Sequence, residues 1–393
     1  MQNLPAKRIA SIDILRGLIM IIMALDHVRD FFHVAAVTGD PLDLKTTTPL
    51  LFFTRWITHF CAPVFVFLSG ISAYLASRKK SRGETGSFLI RRGLWLVLAE
   101  VVLISLALTF NPLYNFVILE VIWAIGLSMV FLGLFLFISP RIILPAGLLL
   151  VFGHNMFDYY SLPGDGALKF FEKFLISSGP FVVPLGKTHF IGFFYTVLPW
   201  TGLMFTGYGI GKWFTLAEEK RRSNLLIAGA VSVLLFVIIR SVNQYGNPQP
   251  WSSQKETLFT VLSFLNTSKY PPSLDFSLMT IGPALLLLAF FESQKNQLTR
   301  ICAVYGKVPF FYFVTHLYLA HFVLVIAFFA SGYGAADIIP KRGISLFRPD
   351  EFGYPLWIVY LIWLSVVAAL YAPCKWFAGV KQRNRGKAWV HYF

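Results

Sequence analysis

Apolar stretches long enough to cross a lipid bilayer recur along most of this chain. A membrane-spanning helix needs about 20 mostly apolar residues, and hydrophobic residues make up 56% of the 393 positions. Only 13% of the residues are charged, against about 25% in an average soluble domain. The sequence therefore predicts an all-α fold, a polytopic membrane helix bundle of about ten transmembrane helices in which residues 1–393 form a single transmembrane domain. The predicted spans are 12–32, 52–77, 89–110, 114–138, 142–156, 190–213, 224–241, 273–291, 309–330 and 355–376.

The basic residues are distributed unevenly between the two sides of the predicted bundle. The formal net charge is +15, and most Lys and Arg residues fall in connections on the side of the N-terminus. The longer loops, 33–51, 157–189, 242–272 and 331–354, lie on the other side. Because basic connections stay in the cytoplasm, this bias predicts that both termini are cytoplasmic. It also accounts for the positive charge, so we expect no nucleic-acid partner.

The residue types that bind metals are sparse and badly spaced. The three cysteines, Cys61, Cys302 and Cys374, lie within or beside apolar stretches. An odd number without CxxC spacing argues against a disulfide framework and against structural zinc. Asp26 and Asp30 share an i, i+4 spacing, but no second ligand pair lies near them in the sequence. We therefore expect no metal.

The first predicted helix carries a stripe of ionisable residues. Successive helical residues rotate by about 100°, so Asp13, Arg16, His27 and Asp30 fall on one face. Arg16 and His27 are separated by about 16 Å along the helix axis. Ionisable residues inside a membrane are costly and usually functional. Asp13 and Arg16, spaced i, i+3, can instead form a simple ion pair.

His27 is suited to moving a proton. Imidazole has an ordinary pKa of about 6.5, so it can take a proton from a hydroxyl or amine that attacks an acyl carbon. A carboxylate one turn away, Asp26 or Asp30, can fix the tautomer of the ring and stabilise the imidazolium. The same three residues also suit a proton-coupled transporter, so they do not decide the class of protein.

Two short segments of the first helix resemble known membrane acyltransferases. Arg16-Gly17 followed by His27 resembles the first-helix signature of the enzymes that O-acetylate bacterial polysaccharides. The segment 11–17, Ser-Ile-Asp-Ile-Leu-Arg-Gly, resembles the start of the heparan-α-glucosaminide N-acetyltransferase catalytic domain. Further stretches are similar to bacterial relatives of that domain, in order along most of the chain: 25–32, 63–70, 263–274 and 311–317.

The resemblance implies an acetyltransferase of the bacterial inner membrane. Acetyl-CoA would be the cytoplasmic co-substrate, and a sugar or glycan at the outer face would be the acceptor, through oxygen or nitrogen. On this basis His27 would activate the acceptor or carry the acetyl group itself. Asp30 would orient His27, and Arg16 would position the CoA end or stabilise developing charge.

Basic residues before and within the third span are the candidates for CoA binding. The segment 88–92 resembles the basic motif that opens the third helix of the polysaccharide acetylases. Clustered cations suit the phosphates of CoA, although any cytoplasmic loop of a membrane protein is basic. The candidate residues are Arg78, Lys79, Lys80, Arg91 and Arg92.

A second set of polar residues is expected to contact the acceptor. His33 is also a rival to His27 as the base, because the N-acetyltransferase that the chain resembles carries an important histidine in its first luminal loop. For His59 a buried histidine with a local hydrogen bond is the preferred interpretation, and the prolines after Tyr270 can equally just start a helix. The set comprises Asp26, His33, His59, Asn266, Lys269, Tyr270 and His316.

Two classes of function thus stay open. The first is the acetyltransferase, and the second is a proton-coupled transporter of a glycan precursor or small metabolite that uses Asp26, His27 and Asp30 as a relay. Both work within a lipid bilayer, and a homo-oligomer is compatible with either. Release of free CoA from acetyl-CoA when a sugar is added would separate the two classes.

Overall fold

α-Helices make up most of the protein. The computed structural model describes residues 9–78, 80–160, 163, 166–176, 179–384 and 386–392. The α-helices are α1 (Ala10–Phe32), α2 (Pro49–Thr58), α3 (Cys61–Ser77), α4 (Arg82–Ala99), α5 (Ser105–Thr109), α6 (Val121–Ile138), α7 (Ile143–Gly153), α8 (Ala167–Leu175), α9 (Leu198–Ile210), α10 (Glu218–Val242), α11 (Thr257–Leu265), α12 (Leu274–Phe291), α13 (Gln297–Gly306), α14 (Pro309–Ala330) and α15 (Leu356–Arg383). A π-helical segment, Glu100–Ile104, joins α4 to α5, and 3₁₀ turns cover Pro140–Ile142, His154–Asp158, Gly211–Thr215, Ala335–Asp337 and Ala388–His391.

Within the described residues, eight helical segments are long and apolar enough to cross a membrane. They are Pro49–Ser77, Arg82–Thr109, Val121–Ile138, Pro140–Asp158, Glu218–Val242, Leu274–Phe291, Pro309–Ala330 and Leu356–Arg383. The helices α1 and α9 occupy the other two predicted positions but fall outside this group. The reason is that α1 carries several charged residues and α9 has only 13 residues. The chain is a multi-pass membrane protein.

A small β-sheet corrects the expectation of an all-α fold. Its strands are β1 (Phe116–Leu119), β2 (Phe181–Pro184) and β3 (Phe190–Phe193). The strand β3 lies between the other two, parallel to β1 and antiparallel to β2. The predicted spans 114–138 and 190–213 were therefore wrong at their starts. Short apolar runs rich in β-branched and aromatic residues have the same hydropathy whether they form helix or strand.

Other differences are shifts of helix ends and three helices that the hydropathy pattern did not predict. The predicted span 52–77 is divided between α2 and α3, which meet at residues 59–60. The helix α4 begins seven residues before the predicted start at 89 because Ser81 and Glu84 form a capping box there. The short helices α8, α11 and α13 lie in connections. Each of them has ten residues or fewer, too few to span a bilayer.

The helix α1 is buried along most of its length, so its polar residues other than the exposed Asp30 lie inside the bundle. Two glycines let it approach α13 closely. A Cβ atom at Gly17 would lie 1.7 Å from the carbonyl oxygen of Cys302, and one at Gly306 would lie 1.9 Å from that of Asp13. Only glycine tolerates such an approach of two backbones. This contact holds the Arg16 end of α1 against α13.

Contacts between connections define two faces of the bundle. Glu292, after α12, accepts hydrogen bonds from Ser11 on α1 and from Arg221 on α10. We call this the terminal face because the described ends of the chain lie near it. On the other face, the loop after α1 pairs with the loop before α15 at His33 and Tyr354. We call this second face, which carries the longer loops, the loop face.

Candidate functional site

Two histidines from distant parts of the chain meet inside the bundle. His27 on α1 and His316 on α14 lie with Nδ1 of the first 2.7 Å from Nε2 of the second. Their rings are nearly parallel, with centroids 4.9 Å apart and an interplanar angle of 20°. His316 is fully buried, and its Nδ1 lies 2.9 Å from the carbonyl oxygen of Tyr312.

The hydrogen bonds of this pair determine where its protons lie. A carbonyl oxygen only accepts, so the Nδ1 atom of neutral His316 carries the proton that is donated to Tyr312. The Nε2 atom of His316 must then accept, and His27 donates to it through Nδ1–H. Neutral His27 is left with an unprotonated Nε2. That lone pair is the group that a general base needs.

The carboxylates near His27 are engaged elsewhere. Both oxygens of Asp26 lie 2.6 Å from Nη1 of Arg55, and Oδ1 also accepts from Thr58 at 2.8 Å. Arg29 lies 2.9 Å from Asp26 and 2.6 Å from Asp30. The expected carboxylate partner of His27 is therefore absent from the described residues, and His316 takes that position. The physical reason is that nearby arginines compete successfully for both carboxylates.

Lys269 brings a cation to the same region from the connection between α11 and α12. It is buried, with Nζ 5.0 Å from the ring centroid of Tyr270 and 5.7 Å from that of Tyr195. Its charge interacts electrostatically with Asp26, His27 and Glu120. We call Asp26, His27, Arg29, Arg55, Lys269 and His316 the polar cluster.

The other predicted acceptor residues have contacts of their own. His59 is 1% exposed, and neither ring nitrogen has a hydrogen-bond partner among the described residues. The local hydrogen bond considered for it is thus not found there. Asn266 donates to the carbonyl of Leu42 at 3.2 Å, which ties two loops together. Nδ1 of His33 accepts from the backbone N–H of Ala35 at 3.3 Å.

His33 lies at the loop face, just beyond α1. Burial of its ring, together with the cations Arg29 and Arg348, lowers its pKa. Its carbonyl oxygen accepts from Arg348 at 2.7 Å. Both the ring and the backbone of His33 therefore take part in holding the loop. Asp30, which is exposed, lines a small pocket of about 100 Å³ with His33 and Arg29.

A larger cavity of about 520 Å³ opens from the bundle toward the terminal face. We call it the basic cavity. Its cationic lining residues are Arg16, Arg92, Lys307 and Lys381. No Asp or Glu is among its described lining residues. The rest of the wall is largely apolar and includes Met20, Phe65, Ile125, Met129, Phe310 and Phe313.

The basic cavity ends next to the histidine pair. Phe313 lines the cavity, and its ring lies edge-on to His27 with centroids 6.0 Å apart. At the other end, Arg16 donates to Ser72 at 2.8 Å and to the carbonyl of Gly306 at 3.3 Å. Of the ionisable residues on this face of α1, Arg16 thus lines the basic cavity, and His27 lies next to a residue that lines it.

The predicted CoA-binding residues separate in the fold. Arg92 lines the basic cavity, and its buried Nε has no hydrogen-bond partner among the described residues. Arg91, about 100° further round α4, is exposed on another side, near Trp389 and Tyr392. Arg78 and Lys80 are exposed at the terminal face, and Lys80 lies 4.2 Å from the ring of Phe88, a cavity residue. Lys79 lies outside the described residues.

Sequence reasoning missed several residues of the site. Arg55 lies within the predicted span 52–77, so the rule on intramembrane charge that selected His27 also applied to Arg55. Lys307 and Lys381 carried no such signal, because basic residues are ordinary at helix ends on the side that the charge bias predicts to be cytoplasmic. Tyr195 lies in an aromatic-rich stretch that resembles a membrane-interface belt. Among the described residues, no group of three His, Cys, Asp or Glu could hold a metal ion.

The fold and the site together define a multi-pass membrane protein with a histidine pair beside a cationic cavity. The family model for heparan-alpha-glucosaminide N-acetyltransferase, catalytic, matches residues 8–245, more than half of the chain. The chain therefore belongs to this family, which implies an acetyltransferase-type function in a membrane. No curated protein matches the chain. His27, Arg16 and Arg92 lie within the matched residues, whereas His316 lies beyond them.

Proposed function

We propose that this protein transfers an acetyl group from acetyl-CoA, bound in the basic cavity, to a sugar or glycan at the loop face. The observation that carries the proposal is the position of His27. Its ring, whose Nε2 is unprotonated, lies edge-on to Phe313, and Phe313 lines the cationic cavity. The catalytic base and the donor site are thus adjacent.

The basic cavity suits a molecule with an anionic head and a long, weakly polar arm. Its cations can bind phosphates through charge-assisted hydrogen bonds, and the unpartnered Nε of Arg92 is a donor without a described acceptor. The apolar wall beyond these cations suits a chain that carries a thioester. Acetyl-CoA combines these features and would supply the activated acetyl group.

His27 performs the proton transfer in this proposal. Its Nε2 takes the proton from the acceptor hydroxyl or amine as that atom bonds to the acetyl carbon. The carbon–sulfur bond then breaks, and the proton passes from His27 to the departing sulfur, giving free CoA thiol. His316 accepts from Nδ1–H of His27 throughout and so stabilises the imidazolium.

Charged residues on either side of His27 would position the substrates or hold neighbouring side chains in place. Arg16, whose guanidinium lines the cavity, would position the CoA end or stabilise charge on the leaving sulfur. Asp30 is exposed beside Arg29 and would contact the acceptor rather than orient His27. Asp26, fixed by Arg55 and Thr58, would hold the arginines in place.

The acceptor would approach from the loop face, through Lys269, Tyr270, His59 and Asn266. His59 supports this arrangement because its ring nitrogens are buried without described partners, as expected of groups that await a ligand. His33 is a weaker candidate for the base, since its Nδ1 already accepts a backbone hydrogen bond.

The walls of the basic cavity come from both ends of the chain. Residues near the start, such as Arg16 and Arg92, face residues near the end, such as Lys307 and Val390. We therefore treat residues 1–393 as one functional domain, although the family match covers only 8–245.

The test is a reaction in detergent or reconstituted bilayers. Purified protein, acetyl-CoA and an amino-sugar or glycan acceptor should yield free CoA thiol and an acetylated product in equal amounts. Calorimetry that detects no CoA binding at millimolar ligand would overturn the proposal. Proton-coupled uptake of a sugar into vesicles without release of CoA would favour the transporter, whose relay would be Asp26, His27 and Asp30.

A further inference from the structure

A second cavity, of about 460 Å³, opens on the loop face beside the polar cluster. We call it the vestibule. Its lining includes carboxylate, ammonium, amide, hydroxyl and aromatic groups, which is the chemistry that binds a saccharide. These groups belong to Asp158, Lys173, Gln249, Ser268, Tyr270 and Phe157.

The vestibule is connected to the proposed site through Tyr270. The Tyr270 ring lines the vestibule and lies 5.4 Å from the ring of Tyr195. Both rings flank the ammonium group of Lys269, which interacts electrostatically with His27. A ligand held in the vestibule therefore contacts the residues that lead to the base.

The helix α8 forms one wall of the vestibule and is strongly amphipathic. Lys169, Glu172 and Lys173 lie on the vestibule side. Elsewhere on the helix, Leu168 is 74% exposed and Phe171 is 53% exposed. A short helix with charged and bare apolar faces is typical of an element lying in the membrane interface.

The apolar surface reaches the rim of the vestibule. Phe157, at the end of the segment Pro140–Asp158, lines the vestibule and is 44% exposed. In a membrane protein such a rim faces the acyl chains of the bilayer, so the vestibule is open to molecules that are anchored there. A ligand with a hydrocarbon tail would cover it.

The vestibule also offers a cation for a phosphate. Lys169 pairs with Glu172 at 3.0 Å, whereas Lys173 has neither an ion pair nor a hydrogen bond among the described residues. A phosphate bound by Lys173 would lie between the polar vestibule and the apolar side of α8.

We propose that the acceptor is a sugar linked through phosphate to a lipid, with the sugar in the vestibule and the tail along α8. The proposal rests on the proposed acetyl transfer and names the class of its acceptor. A lipid-anchored acceptor would enter sideways from the bilayer, and the same sugar free in solution would bind less well.

Binding measured without acetyl-CoA tests this inference separately from catalysis. The probes are glucosamine joined through phosphate to a farnesyl chain, glucosamine 1-phosphate, and farnesyl glucosamine without phosphate, each titrated into protein in bilayer discs. We expect the first probe to bind at least about tenfold more tightly than either of the others, which corresponds to about 1.4 kcal/mol. Equal binding of the first two probes would overturn the proposal.

Substitutions then locate the binding site. Phe171→Ser should remove most of the preference for the farnesyl probe, and Lys173→Gln should remove most of the preference for phosphate. Ile339→Ser is the matched control, because Ile339 is an exposed apolar residue of another loop on the same face. A preference that survives both test variants, or that is lost equally in the control, would place the lipid elsewhere and overturn the proposal.

Acetyl transfer to the same probes gives an independent result. Tight, Lys173-dependent binding of the first probe without acetylation would contradict the proposed function and leave the vestibule assignment supported. Acetylation of glucosamine 1-phosphate at the same kcat/KM as the farnesyl probe would support the proposed acetyl transfer and overturn the assignment of a lipid-linked acceptor.

Discussion

The basic cavity and the polar cluster both contain buried cations, but the two regions differ in whether carboxylates pair with those cations. In the polar cluster, Arg29 and Arg55 are paired with Asp26 at short distances. In the basic cavity, Arg92 and Lys307 face a space whose described lining carries no carboxylate. The cations of the polar cluster are neutralised by the protein itself. In the basic cavity Arg16 pairs with Asp13 at 3.5 Å, whereas Arg92 and Lys307 have no ion pair among the described residues.

This difference suggests that the polar cluster positions side chains around His27, whereas the basic cavity binds an anionic ligand. Burying a charge is costly unless it is paired, so the internal ion pairs of the polar cluster hold side chains in place around His27. A cavity lined by cations without carboxylates is stabilised when an anion enters it. The comparison therefore predicts that substitutions in the polar cluster affect catalysis and folding, whereas those in the basic cavity affect donor affinity.

The largest effect is expected at His27. The variant His27→Ala should lower acetyl transfer by about 10²–10⁴-fold, the usual contribution of a general base. CoA affinity should stay nearly unchanged, because the cationic lining of the cavity is intact. The measurement is acetylated product formed per minute, with calorimetry of CoA binding alongside it.

His33→Ala is the control for this experiment, since His33 is the neighbouring imidazole at the end of α1. It should retain most of the activity of the unsubstituted protein. An inactive His33→Ala together with an active His27→Ala would move the catalytic role to the loop.

The next largest effect concerns stability. Removing Arg55 leaves Asp26 buried without the guanidinium that contacts both its oxygens. Breaking a buried ion pair costs about 3–5 kcal/mol when the remaining charge has no other partner. Asp26 keeps Arg29 at 2.9 Å and Thr58 at 2.8 Å, so Arg55→Ala should cost less than this and still lower the thermal unfolding temperature. Arg141→Ala, at an exposed position of the terminal face, should leave it unchanged. Equal unfolding temperatures for both variants would show that the Asp26 pair is not needed for folding.

Donor affinity tests the basic cavity through two adjacent arginines. Arg92→Gln should weaken CoA binding by about 10- to 100-fold, as expected for loss of a hydrogen bond to a charged group worth about 1.5–3 kcal/mol. Arg91→Gln should change it little, because Arg91 is directed away from the cavity. Similar losses in both variants, measured by calorimetry, would mean that CoA binds across the outer surface of α4 instead.

The smallest effect is expected for His316, which acts through His27. Its hydrogen bond is worth about 0.5–1.5 kcal/mol, so His316→Ala should lower kcat by about threefold to tenfold. The KM for acetyl-CoA should stay constant. His316→Gln, whose carbonyl oxygen can accept the same hydrogen bond, should restore part of the rate. A merely structural His316 would show no such rescue and no change in the pH profile of kcat.

Much of the fold could be predicted because each membrane-spanning helix is encoded by one contiguous apolar segment. A run of about 20 apolar residues must satisfy its backbone hydrogen bonds within itself, so hydropathy locates most spanning helices. The polar face of α1 was predictable for a related reason, since helical rotation alone aligns Arg16 with His27. The sequence by itself determined that the chain is a multi-pass membrane protein and located most of its long helices, and it selected His27 as a candidate site residue.

Only the tertiary structure decided which groups act together. His27 and His316 are 289 positions apart, yet a hydrogen bond joins them. The basic cavity likewise combines Arg92 with Lys307 from a distant connection, while it leaves Arg91 outside. Hydropathy and helical period describe one helix at a time, whereas these contacts depend on which helices pack together and through which face. That choice is made by long-range packing, such as the glycine contact between α1 and α13, and no local pattern encodes it.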